Sequence, residues 1–189
     1  MPSIDPSVYV APGCQLYGHI EIAARASLWP NVVIRAEANR VRVGRMTNLQ
    51  DFVMIHVGYD DATHIGEFCS ITHHATVHGA TVEDSCLIGI NAVVMDGAVI
   101  GRGSIVAPGA VVTEGKVIPP HSIVAGVPGK VIKQRDSERE NRLNAWNYYR
   151  NALEFQRGSH RAWDGDDYEV WLRDIKAKIE CDEDLNEIE

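Results

Sequence analysis

The chain has 189 residues and a mass of 20.9 kDa, the length of one domain with an appendage. Its 45% hydrophobic and 23% charged residues suffice for a core and are too apolar for a disordered chain, while 7% aromatics and 16 glycines point to a narrow, regular interior. A net charge of -8 excludes a general nucleic-acid binder and disfavours an anionic membrane surface. The opening Met1-Pro2-Ser3-Ile4-Asp5 has neither the basic start nor the apolar core of a signal peptide. No stretch reaches the roughly 18 uninterrupted apolar residues of a membrane span. Cys14, Cys69, Cys86 and Cys181 form no CxxC pair, so reduced thiols and a cytoplasmic location are expected.

From Val10 onward an aliphatic residue recurs every six positions: Val10, Leu16, Ile22, Leu28, Ile34. The series resumes at Val43, Leu49 and Ile55, and after an insertion at 57–64 it resumes at Ile65, Ile71 and Val77. A five-residue step leads to Val82, Ile88, Val94, Ile100, Val106, Val112, Ile118 and Val124. Four positions after these stand small residues, among them Cys14, Ala26, Cys69, Ala75, Cys86, Ala92, Ala98, Ser104, Ala110 and Ser122. A period of six fits neither the helical 3.6 nor the strand period of two. It fits a parallel β-helix in which each hexad is one flat side and three sides close a coil of about 18 residues. The aliphatic points inward, and the small residue fits the crowded corner. Nineteen hexads predict roughly six coils, about 4.8 Å apart. The fold class is therefore all-β, a parallel β-helix over residues 1–132, with a C-terminal helical extension over 133–189. Leu143, Trp146, Tyr149 and Leu153 stand at helical spacing after a charged start, and Gly158 stops that helix. Tyr168, Trp171, Leu172, Ile175 and Ile179 mark a second amphipathic segment, and the acidic tail 182–189 is expected to fray. Core packing is the expected role of these aromatics.

The hexad frame also locates the histidines. His56 follows the aliphatic Ile55, and His78 follows Val77 three hexads later, one full coil on. The two side chains therefore share a column, one strand spacing apart, close enough to share a metal ion with Zn–N bonds of about 2.0–2.1 Å. A third ligand must come from the adjacent side, where His73 and His74 stand next to each other. Strand alternation would let one of the two serve. Neither turns the corner easily to meet His78 of its own chain, but either can meet the column of a neighbour in a three-fold assembly. Three imidazoles with an open position are a catalytic rather than a structural zinc arrangement. Arg35 falls in the column of His56 one coil earlier, and Asp51 occupies the slot one coil below His73, where a carboxylate can orient an imidazole. His19, His64, His121 and His160 read as surface or turn residues.

Residues 27–97 resemble the γ-class carbonic anhydrase family of hexapeptide-repeat proteins. The resemblance rests on Ser27-Leu28-Trp29-Pro30-Asn31, Arg35, Thr47-Asn48-Leu49-Gln50-Asp51, Ile55-His56, Thr72-His73-His74-Ala75-Thr76-Val77-His78-Gly79 and Asn91-Ala92-Val93-Val94-Met95-Asp96-Gly97. Val124 to Lys130 resembles the exit loop of the wider superfamily. The resemblance implies a left-handed coil, whereas the general rule for parallel crossovers would give a right-handed one. It assigns the metal ligands to His56, His73 and His78, with His73 given across a subunit boundary. It implies a homotrimer and Zn2+, with Fe2+ or Co2+ as alternatives. It also implies an intersubunit ion pair of Arg35 with Asp51 and active-site amides at Gln50 and Asn48. Glu37 stands where the family more usually has Asp, supporting the site behind the ligands as a partner of Gln50.

The function so implied is that of a carbonic anhydrase-like lyase, in which metal-bound hydroxide attacks carbon dioxide to give bicarbonate. Active members of one subclass carry glutamates that export the proton. Here Ala38 stands where one would fall, and the loop 57–64 has no glutamate, leaving His64, Asp60 and Asp61 as candidate carriers. The competing readings are an acyl-CoA thioesterase with the same histidines, a metal-free hexapeptide acyltransferase, and a catalytically inactive scaffold. The expected partners are a second and third copy of the chain and a small substrate, carbon dioxide or an acyl thioester, with no nucleic acid and no membrane.

Overall fold

The computed structural model describes residues 2–188, with side chains over 2–185. Short parallel strands wind into a left-handed β-helix of about 7 turns, followed by two helices. The prism has three faces. The chain enters each turn on a first face, with strands such as Asn48–Leu49, Ser70–Ile71 and Leu87–Ile88. It passes to a second face, with Met54–His56, Thr76–His78, Val93–Val94 and Val111–Val112. It returns along a third, with Thr63–Ile65, Thr81–Val82, Val99–Ile100 and Val117–Ile118. The long strands Gln15–Ile22 and Val33–Val43 bend round one edge and serve the second and third faces together. The first face carries seven parallel levels, from Tyr9–Val10 to Ser122–Ala125, one more than the sequence count. The last level is covered by the antiparallel strand Lys130–Gln134.

The hexad frame is the physical repeat. Leu28, Ile34, Leu49, Ile55, Ile71, Val77, Ile88 and Val94 are fully buried in one continuous stack. Each such side chain contributes about 1.5–3 kcal/mol relative to exposure. Val10 departs from the pattern at 41% exposed, because it lies in the first turn with no coil before it. The small residues Ala75, Cys86, Ala92 and Ala98 are fully buried where the chain turns. Each corner needs one residue in the left-handed region. From Ser85 these come every sixth position: Ser85, Asn91, Gly97, Gly103, Gly109, Gly115 and His121.

Helix α1 (Glu138–Gln156) lies across the first face, touching Tyr9–Val10, Ser27–Leu28, Asn48–Leu49 and Ser70–Ile71. Asp136 accepts a hydrogen bond from the Glu138 N–H at its start, and Glu138 and Glu140 place negative charge near the first turn. At its end Gly158, with φ 80°, donates to the Phe155 carbonyl and stops the helix as its position predicts. Helix α2 (Asp166–Glu180) packs Ile175 and Ile179 with Trp146, Met46 and Phe68. The tail corrects one expectation. Instead of fraying at 182, its first residues are held by buried Arg142, which donates to Asp182 and Asp184 at 2.6 and 3.1 Å, while Trp146 Nε1 donates to Asp184 at 3.2 Å; Glu189 lies outside the described residues. No described helix is long and apolar enough to cross a membrane.

Candidate metal centre

The edge between the second and third faces carries His56 and His78. Their strands pair in parallel with His78 directly opposite His56, as the column argument requires. The rings stand edge to face with centroids 4.7 Å apart, and His56 Nδ1 lies 2.8 Å from His78 Nε2. Each ring has a carboxylate at its other nitrogen. Glu37 Oε1 lies 3.2 Å from His56 Nε2, and Asp96 Oδ1 lies 2.8 Å from His78 Nδ1. Arg35 donates to Glu37 at 2.6 Å. The Glu37 backbone N–H, then His56 and Arg35, hold the Glu37 carboxyl below the usual carboxylate range. The result is a line of carboxylate, imidazole, imidazole, carboxylate along one edge.

The edge between the first and second faces carries the other residues singled out in the sequence. His73 Nδ1 lies 3.0 Å from Asp51 Oδ2, one coil below, in the slot the repeat assigns to it. The alternation argument for His73 against His74 does not apply, since both lie in a turn rather than in a strand. What separates them is the corner itself. His74 takes the left-handed conformation, φ 59°, and stacks flat on Phe52 with ring centroids 4.9 Å apart. Asn48 and Gln50 are buried beneath α1. Gln50 Nε2 donates to Asn48 Oδ1 at 3.0 Å, Asn48 Nδ2 donates to Ser70 Oγ at 2.9 Å, and Asn144 of α1 donates to the same hydroxyl at 2.8 Å. Within the chain Gln50 therefore partners Asn48, while Glu37 lies at the opposite edge with Arg35 and His56. Arg35 and Asp51 are likewise at opposite edges.

Tyr148 of α1 is a residue that periodicity alone does not mark. It packs on Trp29 with centroids 5.5 Å apart, and burial, with the nearby Asp51 charge second, pushes its hydroxyl up to about 12. His64 joins neither edge. It lies on the third face opposite Arg42 and Thr81, and burial followed by the Arg42 and Arg40 charges lowers its pKa. Among the described residues, the ligand-type side chains that converge within one chain are a different set, His121, Asp136 and Glu138. His121 stands 3.3 Å from Asp136 and 3.8 Å from Glu138, and Arg102 also approaches Glu138 at 3.7 Å, which makes this an ion-paired corner.

The family described as bacterial transferase hexapeptide (six repeats) matches residues 79–114. A protein of Methanocaldococcus jannaschii named probable carbonic anhydrase is 45% identical over 135 residues, 71% of this chain and 85% of that one. The mitochondrial gamma carbonic anhydrase 2 of Arabidopsis thaliana is 34% identical over 49% of this chain but only 36% of its own length. The solved structure of a hexapeptide transferase family protein from Anaplasma phagocytophilum superposes with a TM-score of 0.73 at 31% identity, over 83% of this chain and 92% of that one. Identity at the level of the archaeal relative, spread over most of both chains, makes this protein a member of the γ-class carbonic anhydrase-like family of hexapeptide-repeat proteins.

Proposed function

We propose that the protein is a zinc-dependent carbonic anhydrase-like lyase that works as a homotrimer and converts carbon dioxide to bicarbonate. The observation that carries this reading is the partition of three carboxylate-backed histidines between two edges of one face. His73 lies in the turn before the strand Thr76–His78 and His78 at the far end of that strand, so the two stand at opposite edges of the face. An ion with Zn–N bonds of about 2.0–2.1 Å cannot span that face. An ion held by all three must therefore lie between two chains.

Three prisms with their second faces turned inward would set the His56/His78 edge of each chain against the His73 edge of the next, closing three equivalent sites. The second face suits such burial. Along its middle column the outward side chains Val33, Met54, Thr76, Val93 and Val111 are half-buried already and uncharged, with exposed Gln15 at one end and Arg35 at the edge. The donor set also fits the ion. His56 Nδ1 and His78 Nε2 already face each other, each ring backed by a carboxylate at its other nitrogen. Zinc, when bound, would lower the pKa of a water from its bulk value to about 7 and so supply a nucleophile at neutral pH. The chain's own residues orient and position. Asp51 and Glu37 fix the rings of His73 and His56. Gln50 gives its N–H to Asn48 and keeps Oε1 to accept a hydrogen bond from a water or substrate, with Asn48 beside it.

Mixed trimers test the reading. His73→Ala and His78→Ala chains should each lose zinc and hydration activity when pure. Refolded together in equal amounts they should regain both at about one quarter of the sites, where an intact edge of one meets an intact edge of the other. No recovery would overturn the shared site. The transferase name of the solved neighbour favours acyl transfer as the second reading, which predicts turnover of an acyl-CoA that persists after zinc is removed.

A further inference from the structure

We propose that Asp96 is the positioning residue for His78, an inference that rests on the shared-metal reading above. The sequence motifs pair no carboxylate with His78, although Asp96 stands within one of them. Asp96 follows Met95 in the coil above. The strand pairing sets Val94 opposite Val77, which brings the Asp96 turn beside Gly79. Its Oδ1 then accepts from His78 Nδ1 at 2.8 Å.

Two glycines make the space for this carboxylate. A Cβ on Gly79, which also has φ 57°, would come 2.2 Å from Asp96 Oδ1, and one on Gly58 would come 2.5 Å from the same oxygen. Real Cβ contacts of that length do not occur, so a side chain at either position would displace the carboxylate from the ring. A corner aspartate can simply cap a turn. Asp84, at another corner, does so by accepting from the Glu67 backbone N–H at 2.9 Å, and it also binds Arg102. Asp96 instead spends its oxygen on the imidazole. A carboxylate at Nδ1 keeps the proton on that nitrogen. It leaves the Nε2 lone pair directed along the edge toward His56, the direction from which a shared ion is held.

The experiment measures zinc affinity of the purified protein by chelator competition, together with the 15N chemical shifts of the His78 ring. His78→Ala serves as the ligand control. Asp96→Ala should weaken zinc about 10–100-fold and let His78 populate both neutral tautomers. Asp96→Asn, which keeps an oxygen acceptor at the same place, should restore much of the affinity and the Nδ1–H tautomer. Thermal unfolding of the metal-free variants separates positioning from a folding defect, since a purely structural role would lower the midpoint without changing the tautomer. If His78→Ala abolishes zinc binding while Asp96→Ala binds as tightly as the unaltered chain, this inference falls and the metal reading stands. If the unaltered chain binds no zinc, both fall.

Discussion

The two edges that bound the second face are made by the same hexad yet hold their side chains in different ways. At the His73 edge the two amides are buried under a helix, while His73 and Asp51 stay partly exposed. Asn48 and Gln50 are 1% and 2% exposed, fixed to each other and through Ser70 to Asn144 of α1. At the His56/His78 edge, among the described residues, neither helix covers the site: α1 lies on the first face. The rings are held by one another and by Glu37 and Asp96, beside the inserted loop in which the Gly58 N–H donates to the Asp61 carbonyl. The repeat thus supplies the positions. The helix at one edge and the insertion at the other supply what differs between them. His73 keeps 39% of its side chain exposed, and His56 and His78 keep 20% and 30%, so both edges leave ring surface that a neighbouring chain can meet.

The sharpest break of that comparison is at adjacent residues of the covered edge. His73→Ala should lose the ion entirely, together with any hydration of carbon dioxide, because two imidazoles are too few for a stable open site. His74→Ala should keep full zinc content. It forfeits the stacking on Phe52, a contact worth about 0.5–1.5 kcal/mol. Zinc per chain by elemental analysis, set beside the unfolding midpoint, separates the two. A His74 variant that loses the ion would redraw the ligand set as His56, His74 and His78.

How far the sequence reaches follows from the same division. A strict six-residue period needs no tertiary information. The inward column from Ile22 to Val124, the stacking of His78 on His56 and the placing of Asp51 beneath His73 were therefore readable as arithmetic. The choice within His73-His74 was not readable by alternation, because corner residues obey turn geometry, and His74 is the left-handed member of its corner. Tyr148 was hidden for another reason. It lies next to Tyr149 on a helix whose rotation over the prism is set by contacts with Trp29 and Phe68, far away in sequence. Asp96 was visible as a residue but not as a partner, since its contact depends on two glycines in other coils. The ordered tail depended on one long-range group, Arg142, 4% exposed inside a helix whose pattern reads as amphipathic.

A smaller effect sharpens the comparison from the uncovered side. In the chain Arg35 is 46% exposed and pairs with Glu37, while Asp51 faces His73. If assembly brings Arg35 against the Asp51 of a neighbour, Arg35→Ala should weaken the trimer by about 3–5 kcal/mol, the cost of leaving a buried charge alone. Sedimentation across a dilution series should show dissociation at higher protein concentration than for the unaltered chain, with zinc lost in step. Unchanged mass and zinc content would place Arg35 outside the interface.

The smallest expected effect concerns the helix that covers the first edge. The Tyr148 hydroxyl is pushed up to about 12 by burial and by Asp51, against about 10 in an unfolded chain. Between those two values the unfolded chain has given up the phenol proton and the folded chain retains it. The unfolded state therefore binds fewer protons, and stability falls as pH rises from about 10 to about 12. Below pH 10 both states hold the proton and the contribution is level. Tyr148→Phe keeps the ring against Trp29 and removes the titration. At neutral pH it should lie within about 1 kcal/mol of the unaltered chain. Above pH 10 its stability should decline less steeply, though not flatly, because the Tyr9 hydroxyl is also raised, by burial first and then by Cys14 and Asp51. Denaturant midpoints taken at pH 7 and at steps above pH 9.5 read both quantities. An alkaline slope identical to that of the unaltered chain would mean that Tyr148 opens to solvent without unfolding, and that α1 covers this edge more loosely than its packing on Trp29 indicates.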